Sequence, residues 1–300
     1  MVMERRLLGK TGLEVSVLGF GGAEIGFEQA SEATVKELLS AALDQGLNAI
    51  DTAECYVNSE ALIGRAIASR RNDFYLFTKC GHKSSNFESA WGRQDIAQSL
   101  ERSLRSLQTD YVDLLQLHSC SKEILAQGEA VEALQKAKKE GKVRFIGYSG
   151  DSEDALYAIK LDVFDTLQTS VSVFDQECLD LTLPAARARN MGVIAKRPIG
   201  NAVWRFAEKP GNSYWHDYWE RMRVLDYDFV RSQAGHVAET ALRFTLSVPG
   251  VSTMIVGTTK PGRWKDNADL VAKGKLSQAE FASIREAWLK HAQKDWVGQV

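Results

Sequence analysis

Eight apolar runs of strand length, spaced along the whole chain and separated by helical patterns, limit the fold more than any other feature of this 300-residue sequence. They read "VSVLGFGG", "LNAID", "FYLFTK", "YVDLLQLH", "VRFIGYS", "DTLQTS", "GVIAKRP" and "TMIVG". After the first comes "TVKELLSAALDQG", in which Val35, Leu38, Leu39, Ala42 and Leu43 keep helical spacing and Gly46 ends it. "DIAQSLERSLRSL" sets Ile96, Leu100, Leu104 and Leu107 on one stripe, and "AVEALQKAKKEG" closes on Gly141.

Alternating strands and helices imply parallel βα units. Two architectures accommodate them, a doubly wound open sheet and a (β/α)8 barrel. The barrel explains the number of runs and suits the length as one domain over residues 1–300. A doubly wound sheet would carry G-x-G-x-x-G directly after its first strand, and "GFGGAEIG" departs from that spacing. The sequence therefore predicts an α/β fold, a (β/α)8 TIM barrel.

Net charge is −2, and the densest basic run, "KAKKEGKVR", closes a predicted helix where cations are favourable. No nucleic-acid footprint follows from that. The opening "MVMERRLLGKTG" has no apolar leader, and no run approaches the ~18 apolar residues of a membrane span. A cytoplasmic protein with no membrane partner is expected. Cys55, Cys80, Cys120 and Cys178 show no metal-ligand spacing, so no metal is expected and the thiols are read as small core hydrophobes.

Active-site groups of such a barrel lie at the C-terminal ends of its strands. Here those ends carry Asp51, Lys79, His118, Ser149, Gln168, Lys196 with Arg197, and Gly257 with Thr258, while Tyr56 follows Asp51 closely. An acid closing an apolar strand needs a partner. Lys79 supplies one, and its ammonium is expected to lower the pKa of the Tyr56 phenol. With His118 orienting a substrate oxygen, the four form a general acid–base site aimed at an oxygen that changes charge. Carbonyl reduction fits, with a hydride reaching carbon while Tyr56 protonates oxygen. The hydride needs a dinucleotide carrier. "TMIVGTTKPGRWKDN" offers a strand, a Gly-Thr-Thr loop and a helix start bearing Arg263 and Asn267, groups suited to phosphate.

At these residues the chain resembles the aldo-keto reductase superfamily over nearly its full length. "RRLLGKTGLEVSVLGFGG" looks like that family's N-terminal β-hairpin and first strand, "IDTAECYVNSEALIGRAI" its Asp…Tyr segment, and "FTKC" its lysine strand. "SLERSLRSLQTDYVDLLQLH" resembles the helix and strand leading to the histidine, with "GKVRFIGYSG" and "TLQTSVSVFDQ" as the middle cofactor strands. The resemblance implies reduction of a small aldehyde or ketone with NADPH, or with NADH. It carries over Asp51, Tyr56, Lys79 and His118 as catalytic, with Tyr56 the proton donor. Gly21, Gly22, Asp51, Ser149, Gly150, Gln168, Lys196, Arg197 and Pro198 would line the cofactor. Gly257, Thr258, Thr259, Arg263, Asp266 and Asn267 would hold its adenosine phosphate end.

There are departures from the family pattern. Gly150 stands where the family usually has an asparagine, Lys196 and Arg197 where an aromatic usually stacks on the nicotinamide, and Gly257 where many members carry a lysine. Ala23 and Ser119 occupy positions that often hold pocket aromatics. Two rival functions stand beside this one: a nicotinamide-sensing regulatory subunit with little turnover, in which all four residues can be present, and a barrel lyase or isomerase, which absent cofactor binding would favour. The long segment "AVWRFAEKPGNSYWHDYWERMRVLDYDF" reads either as a lid bearing Trp204, Tyr214 and Trp215 or as a helix packing its rings on the barrel. The tail "AWLKHAQKDWVGQV" is a second candidate for reaching the mouth. His82, His216, His236 and His291 are read as surface or loop residues.

Overall fold

The computed structural model describes residues 3–82, 89–232 and 237–299. A short antiparallel hairpin comes first, formed by β1 (Arg5–Leu7) and β2 (Glu14–Ser16). The barrel strands among the described residues are β3 (Leu18–Gly21), β4 (Ala49–Asp51), β5 (Tyr75–Cys80), β6 (Val112–His118) and β7 (Val143–Ser149), then β8 (Thr166–Ser170), β9 (Gly192–Lys196) and β10 (Val251–Val256). They close as a parallel barrel in the order β10-β3-β4-β5-β6-β7-β8-β9. The molecule is a (β/α)8 barrel with an N-terminal hairpin, and the open doubly wound sheet is excluded.

Helices form where the apolar stripes predict them. Ser31 accepts from the Thr34 amide and starts Glu32–Asp44, whose Val35, Leu38, Leu39, Ala42 and Leu43 are buried. The stripe of Arg93–Leu107 buries Ile96, Leu100, Leu104 and Leu107. Among the described residues no helix is long and apolar enough to cross a membrane.

Side chains alternate along each strand, so residues two apart share the barrel interior. Leu76 and Cys80 of β5 join the large core beneath the helices, whereas Phe77 joins a smaller interior cluster with Ala49, Leu114 and Ile194. Two residues further along those same interior columns stand Asp51, Lys79, Gln116 and Lys196. The interior therefore grades from apolar below to polar and charged at the C-terminal mouth.

The hairpin closes the lower end. Leu8, Leu13 and Val15 pack into the interior cluster, and Leu8 is fully buried. The Leu8 amide donates to the Leu13 carbonyl, and Lys10 donates to Asn190 just before β9. Leu8→Ala should cost about 2–5 kcal/mol of stability, because the barrel floor cannot collapse onto the cavity. Urea unfolding measures this, and a loss well below that range would show that the floor is sealed without Leu8.

Candidate active site

Asp51 ends β4 and Lys79 is the penultimate residue of β5, its neighbour in the barrel, and each is 1% exposed. Lys79 Nζ donates to Asp51 Oδ2. It also reaches the Thr52 carbonyl at 2.9 Å and the Tyr56 hydroxyl oxygen at 3.4 Å. The other carboxylate oxygen, Asp51 Oδ1, accepts from Gln168 Nε2 at 2.9 Å and from Gln116 Nε2 at 3.2 Å. Both charges are thus paired and hydrogen-bonded, the condition on which buried ions are tolerated. Burial works against the Lys79 ammonium, but Asp51 and Tyr56 hold its pKa above the usual lysine value.

Tyr56 lies on the turn between β4 and the helix Ser59–Ile67. The turn is set by the Tyr56 amide donating to Ala53 and the Ser59 amide donating to Tyr56. Its ring stands 5.7 Å from that of His118, nearly perpendicular, and 5.7 Å from Phe27. Burial pushes the Tyr56 phenol up to about 12, with Lys79 pulling it down. Lys79 acts in the expected direction, but desolvation outweighs the nearby ammonium, so the phenol stays above a free tyrosine instead of below it. His118 is driven well below the ordinary histidine range by burial first, then by Lys79, His82, Lys196 and Arg197. The mouth therefore holds a protonated phenol and a neutral imidazole beside a buried ammonium.

Ser149 and Gln168, paired in register on β7 and β8, bond to each other at 3.1 Å, and Gln168 carries the link on to Asp51. Gly21 and Gly22 are buried at the end of β3, and Pro198 is buried beyond β9. Gly150 has a steric cause. A Cβ there would lie 2.7 Å from the Tyr148 ring, whose hydroxyl donates to the Cys120 carbonyl at 2.6 Å. An asparagine at that place would require Tyr148 to move.

Lys196 and Arg197 belong to a second charged cluster. Lys196 Nζ lies 2.8 Å from Asp151 Oδ2, and Arg197 donates to Ser170 Oγ at 3.1 Å. Burial raises the Asp151 carboxyl, but the Lys196 and Arg197 charges override it and hold it below the usual aspartate value. The C-terminal tail reaches this cluster. The Gln299 carbonyl accepts from Arg197 at 2.7 Å and from Lys196 at 3.4 Å. Gly298 packs so closely on Asp151 that a Cβ would overlap its carboxyl group.

At the end of β10, Thr258 Oγ1 accepts from the Lys260 amide and Thr259 donates to Glu28. Glu24 lies against Gly257, filling the space that a side chain there would need. Arg263 opens the helix Arg263–Val271, which no side chain caps, with Asp266 exposed and Asn267 buried in its first turns. Hydroxyls, cations and free helix amides of this kind suit a phosphate-bearing dinucleotide.

Several mouth residues were not found by strand-end reading. Gln116 shares the interior column with His118, and a glutamine inside an apolar strand was the available signal. His82, expected as a surface or loop residue, follows β5 outside any strand or helix and reaches the mouth, its ring 5.3 Å from His118 and 5.5 Å from Trp91. His216 meets the Pro210 carbonyl at 2.7 Å, His291 ends the helix Gln278–His291, and His236 lies outside the described residues. In the long segment after β9, Trp204 and Trp215 pack on the core, while Tyr214 is exposed with its hydroxyl 3.4 Å from Arg197. Asp151 had no sequence signal, whereas Gln299 belongs to the tail that was expected to reach the mouth. Among the described residues no group of three or more His, Cys, Asp or Glu is arranged to hold a metal ion.

The profile of the Aldo/keto reductase family matches residues 17–289. The chain belongs to that family. It is 31% identical over 293 residues to L-galactose dehydrogenase of Arabidopsis thaliana, covering 90% of this chain and 89% of that protein. It is 25% identical over 316 residues to D-threo-aldose 1-dehydrogenase of a Pseudomonas species, covering 93% and 95%. Its fold is similar to an aldo-keto reductase from Bacillus halodurans in its holo form, with a TM-score of 0.82, 26% identity and coverage of 95% and 96%. Membership makes this aldo/keto reductase an oxidoreductase of carbonyl compounds that binds a nicotinamide cofactor.

Behind the site, Glu60 accepts from the Thr78 hydroxyl and is pushed up to about 7 by burial. Its folded pKa exceeds the unfolded one, so between pH ~4.5 and 7 the native state binds more protons and stability falls as pH rises. Glu60→Gln keeps the acceptor and removes the ionisation. It should flatten that decline, as urea unfolding at pH 5 and pH 7.5 would register. An unchanged slope would assign the pH dependence to other groups, Asp175 among them, which burial also pushes up to about 7.

Proposed function

We propose that this aldo/keto reductase reduces aldehydes or ketones to alcohols with NADPH, using Tyr56 as the general acid. The observation that carries the reading is the contact of the Tyr56 hydroxyl with Lys79 inside the Asp51–Lys79 ion pair, beside His118. A nicotinamide held by these residues would supply the hydride for the carbonyl carbon. Negative charge then develops on oxygen, and Tyr56 gives up its proton to it. Because the Tyr56 oxygen accepts from Lys79, its own hydrogen is left to point at substrate. Lys79 stabilises the phenolate that remains, and Asp51 fixes the ammonium for that purpose. His118 holds the substrate oxygen in line.

A phenol held near 12 is protonated throughout the neutral range, which supports the reducing direction near neutrality. Ser149 and Gln168 would bind the carboxamide in exchange for part of their mutual bonding. Lys196, Arg197 and the loop at Thr258 would face phosphate. The names of the Arabidopsis and Pseudomonas relatives make sugars the first substrates to try, as aldoses or as their oxidised counterparts.

The test follows nicotinamide absorbance with aldoses and with aromatic and aliphatic aldehydes and ketones. Tyr56→Phe should lower kcat by about 10²- to 10⁴-fold, with little change in NADPH affinity. Turnover that survives in this variant would refute the role given to Tyr56. The NADPH preference rests on Arg263 beside the uncapped helix start, so Arg263→Ala should raise the Kd for NADPH about tenfold and that for NADH far less. Equal losses by fluorescence titration would place 2′-phosphate recognition elsewhere.

A further inference from the structure

Cys55 precedes Tyr56 in the same turn and is 1% exposed. Its Sγ lies 3.4 Å from Nδ1 of His118. The turn is held at Glu54, just before the cysteine. The Glu54 amide donates to the Lys79 carbonyl, and the Glu54 carboxylate takes bonds from Ser99 and Arg102. The sulfur is therefore placed by the same framework that places Tyr56.

Both members of this pair are neutral. Burial pushes the Cys55 thiol up to about 12, with Lys79 pulling against it. Burial also keeps His118 unprotonated, helped by the positive charges of Lys79, Lys196 and Arg197 and by His82. A neutral imidazole has one donor nitrogen and one acceptor nitrogen, whereas a thiol is a weak donor and a weaker acceptor. The favourable arrangement has Sγ–H donating to the Nδ1 lone pair, which leaves the ring proton on Nε2.

We infer that Cys55 is a positioning residue that sets the tautomer of His118, so that Nε2–H and the Tyr56 hydroxyl are both donors toward one substrate oxygen. This rests on the carbonyl chemistry proposed above and adds a role that the acid–base group does not contain by itself. The opposite tautomer would present a bare Nε2 lone pair. That lone pair would compete with the carbonyl oxygen for the phenolic proton, and the site would lose one of its two donors. The thiol has no redox or nucleophilic part in the reaction.

The test records imidazole 15N signals of the full-length protein as wild type, Cys55→Ala and Cys55→Ser, with His118→Gln assigning the His118 resonances. The wild type should show an unprotonated Nδ1 and a protonated Nε2. Cys55→Ala should mix the two tautomers and lower kcat about five- to tenfold at nearly constant KM, and Cys55→Ser should recover most of both. A protonated Nδ1 in the wild type overturns the inference. So does an unchanged tautomer in Cys55→Ala, however far the rate falls, since packing alone would then explain the loss. The expected 15N pattern combined with full turnover of Tyr56→Phe would support the Cys55–His118 pairing and refute only the reaction assigned to the site.

Discussion

The buried ion pair between Asp51 and Lys79 is the interaction on which the mouth of the barrel depends. Two opposite charges, each 1% exposed, have left water, and removing either would strand the other at a cost of about 3–5 kcal/mol. The pair is tolerated because its remaining hydrogen-bonding capacity is used. Asp51 gathers Gln116 from β6 and Gln168 from β8, while Lys79 holds the Thr52 carbonyl and approaches Tyr56. Strands that are not neighbours around the barrel are tied through one carboxylate. The groups that fix the geometry of the site are thus the groups proposed to carry its chemistry.

This polar network needs a dry, rigid support, and the lower half of the barrel provides it. Phe77, Leu114 and Ile194 fill the interior two residues below Lys79, Gln116 and Lys196, and the hairpin residues Leu8, Leu13 and Val15 seal the floor. Low polarity beneath the site strengthens each interaction above it. It also raises the cost of ionising Tyr56, Cys55 and Glu60, all of which titrate above their ordinary values.

Around the other side of the mouth, Gly150, Asp151, Lys196 and Arg197 form one interlocked group. With Tyr148 occupying the space beside residue 150, only glycine fits there, and the following Asp151 becomes the anchor of a new cluster. Asp151 takes Lys196, the Thr169 hydroxyl and the Ser170 amide, and the tail closes over it at Gly298. Lys196 and Arg197 are therefore held by an acid and by a backbone carbonyl rather than left opposed to each other.

What the sequence determined was the periodic part of the structure. Apolar runs of strand length, glycine stops and helical stripes are local signals, and they were enough to predict the barrel, its strand ends and the meeting of Asp51, Tyr56, Lys79 and His118. Gln116 carried a signal, a polar residue on the period-two column through His118, but strand-end reading passed over it. What only the tertiary structure decided were the relations between residues far apart in the chain and the balance of opposing terms. Gln299 meets Arg197 across about a hundred residues, and His82, just beyond β5, meets His118 at the end of β6. The Tyr56 pKa depended on how much desolvation opposes Lys79, a quantity that exists only when the surrounding chain is packed.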